Sequence, residues 1–122
     1  LLPTLNLGHP RLRETLVVNR EEGYAGKFDL VAPSNGKKTL FDIKTSQRVY
    51  DTHLLQIGGY SAALKSNGTV VDQGGIIVLH YNPKNNPTLR GSVHWIGREE
   101  LDKYERGFIN IARRYHREHE DR

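Results

Sequence analysis

Asp29 and the run Asp42-Ile43-Lys44 have the strongest claim to chemistry in this 122-residue chain. Side chains alternate along a strand, so Asp42 and Lys44 share one face while Phe41 and Ile43 take the other. Further on, Gln56 and Tyr60 stand four apart and share one face of a helix. Two carboxylates, an amine, an amide and a phenol are a fitting set of parts for a metal-dependent phosphodiesterase. That hydrolysis needs an activated water and stabilisation of charge on the phosphoryl and leaving oxygens. A hard divalent cation held by carboxylates supplies both. Asp29 and Asp42 offer two ligand oxygens, and the backbone carbonyl of Ile43, between two site residues, offers a third. Lys44 can orient the attacking water or stabilise developing negative charge. A lone Asp-x-Lys is a weak signal, since on an exposed strand it is more often a solvated charge pair. Here the flanking residues are strongly apolar, and charges in core-like strands are costly unless they pair or bind metal.

The elements that must position these groups follow from pattern. Arg13–Asn19 reads as a first strand, and 24–32 as a second after a polar break ending in Gly23. Pro33-Ser34-Asn35-Gly36 predicts a turn, and 38–45 a third strand, giving an antiparallel meander. Asp51-Thr52 predicts a helix cap, with Leu54, Ile57, Ser61 and Leu64 at helical spacing and Asn67-Gly68 as the stop. Gly58 and Gly59 inside this helix predict close helix–sheet packing. The apolar run 75–81 predicts a strand covered on both faces. Residues 82–90 predict a loop and 91–96 another strand. From Arg98, a stripe of Leu101, Tyr104, Phe108, Ile111, Ala112 and Tyr115 predicts a last helix, fraying after Tyr115. Residues 1–10 predict an extended lead-in. The fold class is α/β, a mixed central sheet flanked by helices in a single domain spanning 1–122.

Bulk composition narrows the partners. A net charge of +4 with 18 lysines and arginines fits an anionic partner such as nucleic acid as well as it fits ordinary solubility. With no cysteine, disulfides, thiolate zinc sites and cysteine-held iron–sulfur clusters are excluded. The six histidines show no zinc-ligand spacing; His53 opens the site helix, where a surface position is its simplest reading. No stretch of about 18 apolar residues occurs, so no membrane-spanning helix and no membrane partner are expected. With no methionine anywhere, Leu1 is not expected to be a genetic start.

Three ordered pieces carry a family resemblance: Gly26-Lys27-Phe28-Asp29, then Phe41-Asp42-Ile43-Lys44-Thr45-Ser46, then Gln56-Ile57-Gly58-Gly59-Tyr60. Together they resemble the PD-(D/E)xK nuclease superfamily, within it the RecB-type exonuclease branch, over about a third of the chain. The pattern there is Gly-x-x-Asp, Asp-x-Lys-Thr-Ser and Gln-x-x-x-Tyr. The resemblance implies a restriction-endonuclease-like core and cleavage of DNA with Mg²⁺ or Mn²⁺, exonuclease-like in mode. It implies that Asp29 and Asp42 bind the metal and that Lys44 is the catalytic lysine. Gln56 and Tyr60 would line the site against Lys44 or the DNA, and Thr45 and Ser46 would shape the strand exit and touch phosphate. Phe28 stands where the superfamily's name puts proline. The family usually adds a Glu or His from an upstream helix, for which this chain begins too late. Glu14 is then the nearest acidic candidate, with Glu21 and Glu22 behind it, and the domain is expected to lack or truncate that first helix. An intracellular setting is expected, cytoplasmic, mitochondrial or virus-encoded. Two rival readings stand: an inactive nucleic-acid-binding module on the nuclease fold, and a structural domain of a larger recombination or phage protein.

Overall fold

Asn35 and Gly36 both take positive φ, 51° and 79°, which asparagine and glycine tolerate and which a two-residue hairpin turn requires. The preceding strand therefore runs to Ser34, two residues past its expected end at 32, and the proline is still paired, opposite Lys38. The chain is described from a computed structural model at residues 12–45, 48–81 and 89–119. Its elements run β1 (Leu12–Asn19), β2 (Tyr24–Ser34), β3 (Lys37–Lys44), α1 (Asp51–Ser66), β4 (Gln73–Tyr81), β5 (Leu89–Ile96) and α2 (Arg98–His119). The expected lead-in at 1–10 and most of the expected 82–90 loop lie outside the described residues.

The five strands form one sheet in the order β1-β2-β3-β4-β5. β1, β2 and β3 are an antiparallel meander, β3 and β4 are parallel, and β4 and β5 are antiparallel. Parallel neighbours need a crossover, and α1 supplies it. The architecture is therefore α/β, a mixed sheet with two helices packed on it. Phe28, Val31, Leu40, Ile76, Val78 and Ile96 of the sheet pack against Leu54, Ile57 and Leu64 of α1 and Leu101 of α2. Ala32, Phe41 and Ile77 centre a smaller cluster on the sheet's other face, where Trp95 packs edge-on to Phe41.

Three expectations change. The first residue before α1 is Tyr50, whose N–H is accepted by His53 Nδ1 at 3.1 Å; Asp51 sits inside the first turn instead of capping it. Gly58 and Gly59 face α2, not the sheet. A Cβ on Gly58 would collide with the Tyr104 carbonyl, and one on Gly59 would come 2.8 Å from the Phe108 ring. Finally, α2 does not fray at Tyr115. Arg113 grips Glu22 through two bonds of 2.8 and 2.7 Å, and His116 Nε2 lies 2.9 Å from the Gly23 carbonyl oxygen. These contacts pin the helix's far end to the β1–β2 turn after it passes α1. Ile111 and Tyr115 of the apolar stripe remain 53% and 57% exposed. Among the described residues, no helix is long and apolar enough to cross a membrane.

Candidate active site

β3 delivers Asp42 and Lys44 to the helix-covered face, as its alternation requires. Asp42 is buried, with only 5% of its side chain exposed, while Lys44 keeps 23%. The lysine Nζ lies 3.1 Å from Asp42 Oδ2 and donates to Gln56 Oε1 of α1 at 2.7 Å. The amide thus sets the direction of the ammonium. Nζ approaches Asp42 Oδ2 off the hydrogen-bonding line, so that buried oxygen has an ionic neighbour but no aligned donor. Such a group costs free energy unless something else occupies it.

Asp29 joins from β2. The β2–β3 backbone ladder stops at the rung Leu30–Phe41. Beyond it, Asp29 Oδ2 accepts the Ile43 N–H at 2.7 Å, taking the place of a strand carbonyl. A strand residue points its N–H and C=O toward the same edge, so the Ile43 carbonyl also faces this side, next to Asp29. The two carboxylates are near enough to share a hydrogen bond. Burial first, and then the Asp29 carboxylate, push the Asp42 carboxyl up to about 6, against the opposing pull of Lys44.

Tyr60 completes the wall from one turn further along α1. Its ring lies on Gly26, where a Cβ would stand 2.6 Å from Cε1. Burial and then the charges of Asp42 and Asp29 raise its phenol above the ordinary value, while Gln56 acts the other way. At neutral pH Tyr60 is therefore a proton donor.

Asp29, Asp42, the Ile43 backbone, Lys44, Gln56 and Tyr60 are thus gathered in one cleft. Thr45 follows at the strand exit and is exposed; Ser46 lies outside the described residues. Glu14 is exposed on β1. Among the described residues, no three acidic or histidine side chains are grouped to hold a metal, so Glu14 does not join Asp29 and Asp42. Glu21 and Glu22 lie at the β1–β2 turn, and Glu22 is engaged by Arg113.

The residues alone left three things unseen. Gly26 matters because it admits the Tyr60 ring. His53 is half-buried on the cleft side of α1, and burial, then the charge of Lys44, hold its ring below the usual histidine value. A hollow of about 380 Å³ is lined by Leu54, Val78, Arg48, Ser92 and His94, and Val78 is the register partner of Lys44. No signal along one strand announces it, because its lining comes from α1, β4, β5 and the loop before α1. No protein-family model and no curated protein matches the sequence.

Proposed function

We propose that this chain is a metal-dependent DNA nuclease with a restriction-endonuclease-like core, hydrolysing phosphodiester bonds in exonuclease fashion. The observation that carries the reading is Asp42: a buried carboxylate, paired with Asp29, with one oxygen left without an aligned donor. A second, half-buried carboxylate against a buried one is unfavourable in an empty cleft and favourable around a cation. The donor set fits Mg²⁺ or Mn²⁺, being all oxygen: one carboxylate each from Asp29 and Asp42, with the Ile43 carbonyl beside them. When bound, such an ion supplies positive charge against the phosphoryl oxygens and makes a water more acidic.

The chain's own groups do the rest. Lys44, aimed by Gln56, places a fixed positive charge where the attacking water or the phosphoryl group carries negative charge. Tyr60 holds its proton and donates to a strand oxygen. Thr45, and Ser46 after it, lie where the strand would leave the cleft. The hollow edged by Arg48 and His94 accepts the nucleotide flanking the scissile phosphate.

One observation favours a second reading. Among the described residues no third acid or histidine is grouped with Asp29 and Asp42 closely enough to share a metal. This suits a nucleic-acid-binding module that keeps the nuclease core without turnover. Incubation of the purified chain with labelled single- and double-stranded DNA separates the two. The nuclease reading expects cleavage with Mg²⁺ or Mn²⁺, loss of cleavage in excess chelator, and binding without turnover in Ca²⁺. Cleavage undiminished by chelator contradicts the mechanism, and salt-dependent DNA binding without cleavage in any metal selects the binding module.

A further inference from the structure

We propose that the exposed stripe near the end of α2, Ile111 and Tyr115 flanked by Arg114, is a stacking surface for the unpaired bases of a DNA strand whose phosphate lies in the cleft. Gln56 joins the two places. Its Oε1 accepts from Lys44 in the cleft, and the same residue lines a groove of about 360 Å³ where α1 meets α2. Thr52, His53 and Leu55 line that groove from α1, and Phe108 and Ile111 from α2. Tyr115 stands four residues after Ile111 and so continues the same side of the helix, one turn beyond the groove. From Phe108 to Tyr115 the helix advances about 10 Å, the rise of roughly three stacked nucleotides.

The chemistry of the stripe fits a strand met through its bases. Ile111 and Tyr115 are more than half exposed, and Leu55 and Phe108 in the groove are half-buried. Tyr115 is held before any ligand arrives. Its ring stacks on His119 with centroids 4.1 Å apart, and His119 Nδ1 lies 2.7 Å from the Tyr115 carbonyl oxygen. A ring already fixed gives up little freedom when a base stacks on it. Arg114 stands three residues from Ile111, on the same side. It forms no ion pair among the described residues, whereas Arg113 is taken by Glu22. From Arg106 to His119, α2 carries four arginines against one acid, Glu118, so its field attracts an anion. Phosphates alone give apolar side chains little to bind, and bases inside a duplex keep their faces against one another. An exposed ring beside basic charge therefore suits an unpaired strand.

That the ligand is DNA rests on the nuclease reading; the surface itself is testable without cleavage. The probes are labelled oligodeoxythymidines of about 4 and about 12 nucleotides and a duplex of the longer length, titrated in chelator. The parent binds the longer strand more tightly than the shorter. Tyr115→Ala, which removes no charge, weakens the longer strand about tenfold and leaves the shorter strand and the duplex at the parent's affinity. Tyr115→Phe keeps the ring and matches the parent. Should Tyr115→Ala fail to fold, Ile111→Ala carries the same test with a smaller loss in the same direction. Parent-like affinity of Tyr115→Ala for the longer strand overturns the proposal, as does a parent that does not bind that strand. An equal loss in Tyr115→Phe makes the hydroxyl and not the ring the contact, and an equal loss for the duplex removes the claim of unpaired bases; either overturns it. Sedimentation gives the remaining outcome: a parent dimer that Ile111→Glu splits assigns the stripe to a second copy of this chain. Tyr115-dependent binding in a chain that never cleaves DNA upholds the stripe and counts against the nuclease reading. Metal-dependent cleavage in a chain whose binding ignores Tyr115 does the reverse.

Discussion

Among the described residues two carboxylates are buried, and they are treated in opposite ways. Glu105 of α2 is fully engaged. Ser61 donates to its Oε2 at 2.6 Å, Lys65 to its Oε1 at 3.2 Å, and Arg98 also bonds Oε2. Arg98 is itself held by Asp102 and by the Val71 carbonyl. Asp42 has one off-line cation, a second carboxylate for a neighbour and an oxygen without an aligned donor. Both sit beside α1, a few turns apart. The difference teaches that the chain can satisfy a buried acid when the acid's task is to join two helices. At Asp42 one oxygen has no aligned donor among the protein's own groups, which the metal-binding reading proposed above would account for.

The largest effect should come from breaking the satisfied region. Glu105→Ala leaves Ser61, Lys65 and part of Arg98 without their acceptor across the α1–α2 contact. It should cost roughly 3 kcal/mol of stability, read from urea unfolding, with no direct effect on the cleft chemistry of the protein that remains folded. A loss below about 0.5 kcal/mol would show that the network is worth no more than a surface ion pair.

The next effect breaks the open region. Lys44→Ala removes the ammonium but leaves both carboxylates and the Ile43 carbonyl. DNA cleavage should fall by about 10²-fold or more, as for loss of a transition-state donor, with DNA binding little changed and no rescue by excess metal. Cleavage at the parent rate would make the strand motif structural and favour the binding-module reading.

Much of this was legible in residue order. The alternation of β3 placed Asp42 and Lys44 together, and the four-residue spacing of Gln56 and Tyr60 placed both on the cleft wall. The chain of strands and helices followed from turn residues and apolar period. What stayed hidden depends on contacts between distant segments. By sequence Gly58 and Gly59 read as packing on the sheet, and it is Tyr104 and Phe108 of the second helix that press on them. The end of α2 looked loose because its anchors, Glu22 and Gly23, lie about ninety residues earlier. Glu105 was readable in part: Arg98, Asp102 and Glu105 recur at helical spacing, yet Ser61 and Lys65 come from another helix. Glu14 resembled a ligand by residue type. Its exposed place on β1, outside any cluster of acids or histidines among the described residues, is set by the fold and not by residue type.

The central claim is that Asp42 is held at a cost which a divalent cation offsets. With its carboxyl raised to about 6 from an ordinary 3.8, the folded chain holds a proton that the unfolded chain has released. Stability from this group is therefore fully present below about pH 4 and is lost as pH rises through about 6. Asparagine carries no charge to bury and escapes that loss. The measurement is urea unfolding of the parent and Asp42→Asn from pH 4 to 8, with chelator and with Mg²⁺. In chelator at pH 7 to 8 Asp42→Asn should be the more stable, by on the order of 2 kcal/mol, with the gap closing as pH falls toward 4. Mg²⁺ should stabilise the parent above pH 6 and leave Asp42→Asn almost unmoved. An Asp42→Asn protein less stable than the parent at every pH, with Mg²⁺ shifting both alike, would contradict the account.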